Sequence, residues 1–509
     1  MTNAKKLLFN TLLLTAAAFL TRTAAVSFNA YLSGQLGAQG IGLLQLITSV
    51  YSMAVVFACG GSRLAAMRLT ADCRALQRGA ERRVMRRCLV YSLICGTAAA
   101  AALALSSELI GSAFIDDPRS APSLRILSLG LPFIAMSSAL NGYFTSVGRL
   151  AGFTAAGLAE QAFRIALTVF SLRAAVAHGL EAACVAISFG MTASEAFSLV
   201  CTLIIYRLSV ENGSAHASPV MKKLLSIALP DVLGSGVRSV LMTVEHLLIP
   251  AGLRKSGSDA EQSFTAYGTI HGMSLPLVLY PSALLASLSG LLIPEISSAH
   301  TRGNTLRINY MISRVLHLTL LFSIGAAGIM YSCAERLGSA VYPGTSAAVY
   351  LQIFAPLIPV MYTDMTVDGI LKGLGQQVSC MKYNIADAGI SVLLVWLLVP
   401  RYSVRGYVAV VFVSEIINFA LSFHRLTQVS EVRLSLFEDI LIPIVCAFCS
   451  GAAVNILFTL SDPGLGIKTE AASQIILCAA VYVLLLAPFG SLGREELIWM
   501  KKLLASGKK

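Results

Sequence analysis

The stretch LAEQAFRIAL, residues 158–167, sets Glu160, Gln161 and Arg164 within one and a half helical turns of otherwise apolar sequence. Glu160 and Arg164 are four residues apart, so a helix places them on one face with the acid nearer the N-terminus, the more favourable order. Two chemistries are open to them. A guanidinium can grip a phosphate through two parallel N–H groups, and a carboxylate in apolar surroundings can take up a proton or a cation. The alternative is a neutralised pair that only holds helices together. Other charges stand in similar company. Arg22 follows a mostly apolar run, Arg63 lies in FACGGSRLAAM, and Arg238 follows LPDVLGSGV. Asn29 and Glu245 come seven residues after Arg22 and Arg238, two turns along the same helix face. Asp387 stands in MKYNIADAGISVLLVW, with Ser391 rather than a base four residues on. Glu195, Asp364, Asp368 and Glu415 are further acids in apolar runs, and Asp231 sits beside Pro230.

From residue type and placement, Arg22, Arg63, Arg164 and Arg238 are the expected anion-binding set. Glu160, Glu245 and Asp387 are the expected coupling or cavity acids, with Asn29, Gln161, Asp364 and Asp368 as further cavity-lining positions. The structural alternatives are an interhelical anchor for Arg22 and a snorkelling side chain for Arg63. No HExxH or Walker A pattern occurs, so neither a metal site nor a nucleotide site is expected. No catalytic residue and no cofactor is expected either. GQLGAQGIG, residues 34–42, reads as a tight turn after a span rather than a phosphate cradle. Cys446 and Cys449 form the CxxC of IVCAFCS, where buried small hydrophobes are the expected reading.

Groups of this kind need helices in lipid to position them. The chain has 509 residues, 56% hydrophobic and 13% charged, against about 25% charged in soluble domains. That composition describes an all-α polytopic membrane protein, with about 14 transmembrane helices once apolar runs are counted at membrane length. The first run continues past Arg22 with no A-x-A site to end it, so it is expected to be a retained span rather than a cleaved signal. Sorting Lys and Arg by side places most of them on the N-terminal side, including Arg82, Arg83, Arg86 and Arg87 in one loop. Both termini are therefore expected in the cytoplasm. The net charge of +12 is then topology and attraction to anionic lipid, and nucleic acid is not an expected partner.

An internal repeat organises the spans. LPFIAMSSALNGYFTSVG, residues 131–148, matches IPVMYTDMTVDGILKGLG, residues 358–375. Pro132 pairs with Pro359, Gly142 with Gly369 and Gly148 with Gly375, all at one offset, which also carries Glu160 onto Asp387. The expected layout is two six-helix lobes, residues 1–210 and 211–430, related by a pseudo-twofold along the membrane normal. Two extra helices and a tail fill residues 431–509. Parallel repeats of this kind are a transporter plan with the substrate path between the lobes.

Several segments together carry a resemblance: LGAQGIGLLQL, ALNGYFTSVGR, AEQAFRIAL, LLIPAGL, and AYGTIHGMSLPLVLYPSALLASLSGLLIPEISSA. In them the chain resembles the multidrug/oligosaccharidyl-lipid/polysaccharide (MOP) exporter superfamily. Within it, the chain is similar to the stage V sporulation protein B and polysaccharide-flippase branch, related to the lipid II flippases. The resemblance implies two lobes in a V that open alternately to each side, and a groove for a lipid tail formed by the two extra helices. It implies a lipid-linked anionic sugar as substrate, carried on undecaprenyl pyrophosphate across a bacterial cytoplasmic membrane. The protein is expected to work as a monomer, with a coupling cation as a further partner. Arg22 and Arg63 match arginines that lipid II flippases carry in spans 1 and 2. A second arginine of span 1 is missing here, where the chain reads VSFNAYL. A Na+- or H+-coupled multidrug or metabolite antiporter on the same fold is the alternative function. A non-transporting scaffold for envelope or spore assembly is the second alternative.

Overall fold

The computed structural model describes residues 3–76, 81–148, 150–209, 220–432, 434–461 and 466–489. Among them the regular structure is helical. In lipid this follows from the backbone: with no water to satisfy peptide groups, a spanning segment must satisfy them internally. Nine helical stretches of the described residues are long and apolar enough to cross a membrane, or ten if the pair Pro118–Ser128 and Leu131–Val147, bent by 47°, is one span. This is a multi-pass membrane protein. The helix carrying Glu160, Gln161 and Arg164 is outside that set, since three polar groups lower its apolarity.

Contacts divide the chain into two compact units, Gln39–Phe264 and Met1–Ala38 with Thr265–Lys509. Helix α1 (Asn3–Cys59) supplies its first part to one and its second part to the other. It is kinked at Gly37, whose φ of 69° is accessible to glycine at little cost. The turn expected at residues 34–42 coincides with this break, where two helices meet at the non-helical Gly37.

The unit Gln39–Phe264 contains α2 (Ser62–Leu76), α3 (Glu81–Leu109), α4 (Ala121–Ser128), α5 (Leu131–Val147), α6 (Leu150–Ala175), α7 (Leu180–Ser209) and α8 (Val220–Lys255). Its core gathers Met85, Cys88, Leu140, Tyr143, Phe144 and Tyr206, with the rings of Tyr143 and Tyr206 4.9 Å apart, edge to face. Gly142 explains why α5 and α2 pack so closely. A Cβ there would meet the Arg63 carbonyl oxygen at 2.2 Å, and small residues are what allow backbones in lipid this near to one another.

Helix α9 (Ala260–Tyr267) runs across the division at Phe264, and the other unit continues with α10 (Leu275–Val278), α11 (Ala283–Thr301), α12 (Thr305–Val341), α13 (Ala347–Phe354), α14 (Ile358–Gly373), α15 (Gln377–Val429), α16 (Ile442–Ser461) and α17 (Ile467–Leu486). Its core packs Ile312, Val315, Leu316, Leu371 and Leu426 together, and Tyr482 of α17 donates to the Leu321 carbonyl at 2.8 Å. A straight 53-residue helix would run about 80 Å, yet Ser414 donates to Asp387, 27 residues earlier in α15, at 2.8 Å. The helix therefore folds back on itself, reversing where Ser403 takes a φ of 53° just after Pro400.

Local structure repeats at the offset found in the sequence. Each of α5 and α14 has proline in its first turn, follows a short eight-residue helix, and is succeeded by a glycine at positive φ, Gly148 at 72° and Gly375 at 76°. The helices that come next, α6 and α15, begin at Leu150 and Gln377, the same offset again.

Candidate functional site

The segment GTIHGMSLPLVLYPS, residues 268–282, is too rich in Gly and Pro to run as one α-helix. It forms a π-helical stretch Gly268–Ser274, the single turn α10, and a 3-10 turn Tyr280–Ser282. Such a break leaves carbonyls without their usual helical donors. Side chains supply the donors. Arg22 Nη2 donates to the Leu279 carbonyl at 2.8 Å, and Tyr362 Oη to the Val278 carbonyl at 2.6 Å. Asn29 Nδ2 donates to the Gly272 carbonyl at 2.5 Å and also to Tyr342 Oη at 3.2 Å. Thr23 and Tyr280 share a hydroxyl contact of 2.9 Å. Arg22 and Asn29, two turns apart, thus work along one face of α1 on one broken helix. A hydrogen bond from a charged donor contributes about 1.5–3 kcal/mol, and a guanidinium has five N–H donors. The anchor reading of Arg22 accounts for one of these donors.

A second polar group crosses α14 and the two arms of α15. Ser414 and Asn418, one turn apart on the second arm, serve two acids: Ser414 bonds Asp387 of the first arm, and Asn418 Nδ2 donates to Asp364 of α14 at 2.9 Å. Asp368, one turn beyond Asp364, pairs with Lys372 at 2.5 Å within its own helix. The structure therefore brings Asp364 and Asp387 onto one helix face and gives Asp368 a local cation.

The third group lies in the unit Gln39–Phe264. Glu160 and Arg164 of α6 both act electrostatically on Glu195 of α7, and Glu195 and Glu160 act on Tyr51 of α1. The rings of Phe163 and Phe197, stacked 4.7 Å apart, hold α6 to α7 beside them. Among the described residues Glu160 and Arg164 form no ion pair with each other, nor does Arg164 with Glu195. The neutralised pair that the i,i+4 spacing suggested is not what the side chains adopt. Gln161, beside them on α6, is buried. Arg63 begins α2 with its side chain exposed, and together with Glu195 acts on Cys59. Arg238 is exposed on α8, and Glu245, two turns on, is half-buried. Neither Arg63 nor Arg238 has an ion-pair partner among the described residues.

No group of three or more His, Cys, Asp or Glu among the described residues is arranged to hold a metal. Cys446 is buried and donates weakly to the Leu485 carbonyl at 3.7 Å. Sequence reasoning named Glu195 only as a lining acid and missed its link to Glu160. It missed Ser414 and Asn418 altogether, since a serine and an asparagine in an apolar run carry no pattern of their own.

Helices broken and paired in this way occur in known folds. The lipid II flippase MurJ, in an inward closed conformation, superposes with a TM-score of 0.70 over 94% of this chain and 99% of that one, at 14% identity. An inward-facing multidrug resistance MATE family transporter of the MOP superfamily gives 0.62 over 80% of this chain and 95% of that one, at 12% identity. The class is thus an all-helical membrane protein of the MOP fold. Residues 7–300, more than half of the chain, match the family of polysaccharide biosynthesis proteins, and the chain belongs to that family. Among curated relatives, stage V sporulation protein B of Bacillus subtilis (strain 168) is 23% identical over 509 residues, 96% of each chain. Sporulation protein YkvU of the same strain is 21% identical over 438 residues, 84% of this chain and 96% of that protein.

Proposed function

We propose that this protein is an alternating-access transporter that flips an undecaprenyl-pyrophosphate-linked oligosaccharide or peptidoglycan precursor across a bacterial cytoplasmic membrane. The observation that carries the reading is the state of the arginines. Arg63 and Arg238 lie in helical stretches long and apolar enough to cross a membrane, Arg164 lies in α6, and none of the three has an ion-pair partner among the described residues. A cation at such depth costs a few kcal/mol, and a pyrophosphate, which matches a guanidinium fork, offsets that cost when it enters. Membership in the polysaccharide biosynthesis family and the similarity to stage V sporulation protein B support the same substrate class.

In this reading the lobes are residues 1–210 and 211–430, with 431–509 appended, and both termini face the cytoplasm. Arg22, Arg63, Arg164 and Arg238 draw the pyrophosphate and sugar into the cleft while the lipid tail stays in or near the bilayer. Closing one gate and opening the other carries the head group across. The protein works as a monomer and makes no bonds in its substrate. Glu160, Glu245 or Asp387 takes up the coupling cation, and Asn29, Gln161, Asp364 and Asp368 line the path. Depletion of the protein tests this directly. An undecaprenyl-linked precursor should accumulate in the cytoplasmic leaflet. If none accumulates and sensitivity to a cationic drug rises, the protein is instead a Na+- or H+-coupled antiporter, a reading favoured by the two acids gathered on the face of Ser414 and Asn418.

A further inference from the structure

A cavity of about 720 Å³ opens between α12, α13, α16 and α17, away from the polar groups described above. Its size is that of a ligand site. Its floor is closed where Gly451 lets α16 approach α12: a Cβ there would meet Ser332 Oγ at 2.0 Å. The lining changes character along its length. On α16 it runs from Phe448 through Ala452 to Asn455 and Thr459, and on α12 from Tyr331 to Glu335 and Ser339. Both rows follow helical spacing and go from apolar to polar toward the ends of their helices.

Arg336 ties three helices together at the polar end. Its guanidinium lies 5.2 Å from the ring of Phe458 of α16, and its Nε lies 3.9 Å from Glu470 of α17. Behind the wall, Gln474 donates to Asn455 at 2.5 Å, while its own carbonyl oxygen is buried and lacks a donor. Arg336 is five residues from the end of α12, Glu470 three from the start of α17 and Asn455 six from the end of α16. At 1.5 Å per residue these polar side chains start about 5–9 Å inside the helix ends, close enough for a lipid headgroup to reach them.

The charges at this level are mixed. Glu335 is exposed and has no partner among the described residues. Glu470 meets Arg336 only at the long limit of an ion pair. Two carboxylates therefore face one guanidinium, so an anionic phosphate alone would enter a net negative site. A ligand with an ammonium next to its phosphate meets both signs. We propose that this cavity is a headgroup site for a zwitterionic aminophospholipid. Its primary ammonium is held by Glu335 and Glu470, its phosphodiester by Arg336 and Asn455, and its acyl chains lie along Phe448 and Tyr331. Three N–H donors on the ammonium are part of the fit, which a quaternary choline lacks.

The test uses the full chain in nanodiscs of equal phosphatidylethanolamine, phosphatidylcholine and phosphatidylglycerol, released gently and weighed by native mass spectrometry. The expected result is one retained phosphatidylethanolamine, favoured about tenfold over the other two, a difference of about 1.4 kcal/mol. Glu335→Gln, at an exposed residue without a partner, should remove the preference over choline while the chain stays monodisperse. Arg336→Ala should lower retention of all three lipids. Equal retention of the three, a preference for phosphatidylglycerol, or an unchanged preference in Glu335→Gln would each overturn the proposal.

Discussion

In the unit made of Met1–Ala38 and Thr265–Lys509, the polar side chains along the broken and folded-back helices meet named protein partners. Arg22 bonds Leu279, Asn29 bonds Gly272, Asp387 takes Ser414 and Asp364 takes Asn418. In the unit Gln39–Phe264, Arg63, Arg164 and Arg238 have no ion-pair partner among the described residues, and Glu160 and Glu195 act on each other as like charges. The contrast separates two uses of polarity in lipid. Bonded groups hold broken or folded-back helices in a set geometry, and removing one leaves a buried polar atom unsatisfied. Unbonded charges are held at a cost that something entering from outside can offset. On this view the bonded groups are set in the absence of substrate, and Arg63, Arg164 and Arg238 carry the charge that a substrate would answer.

The largest effect that should bear on this contrast is from Arg22→Ala. It belongs to both uses, through its bond to Leu279 and its remaining donors. Transport or complementation should fall about 100-fold, roughly 2.7 kcal/mol in a rate, and the thermal midpoint in detergent should fall as well. Normal activity would remove Arg22 from the substrate set. Arg164→Ala should cut transport about 10- to 100-fold while the thermal midpoint stays near wild type. A large drop in stability would show that Arg164 is a structural group and would erase the contrast.

The swap of Glu160→Arg with Arg164→Glu sharpens the same point. Without an ion pair to rebuild, the double variant should stay as inactive as the singles, whereas recovery would establish a helix-packing pair. Ser414→Ala should be milder. It removes one hydrogen bond from Asp387 and should cost about 1 kcal/mol of stability, read as a lower thermal midpoint, with transport within a few-fold of wild type. An effect as large as that of Arg164→Ala would place Asp387 among the groups that act during transport.

The residues show which parts of this were legible beforehand. Pro132 and Pro359, Gly142 and Gly369, and Gly148 and Gly375 stand at one offset, and the starts of α5 and α14 and of α6 and α15 follow it. Proline and left-handed glycine mark helix ends by their own backbone limits, so they can be read without a partner. Glu160 and Arg164 show the opposite case. Their spacing placed them on one face, but side-chain conformation and the nearness of Glu195 on α7 set where their charges go. The glycines near Gly37 were legible as a break, and two helices meet there at a backbone conformation glycine adopts at little cost.

By itself, the sequence determined that the chain lies in lipid, that the stretches around α5 and α14 repeat, and which ionisable residues lie in apolar runs. Composition and spacing carry these because the cost of a charge or an open peptide group in hydrocarbon acts residue by residue. Only the tertiary structure decided that α15 folds back to bring Ser414 to Asp387, that Arg22 reaches the carbonyl of Leu279, and that Arg336 meets Phe458 and Glu470. These contacts join residues from 27 to 257 positions apart. A hydrogen bond depends on a few ångströms and an angle, which sequence separation does not encode and helix packing does.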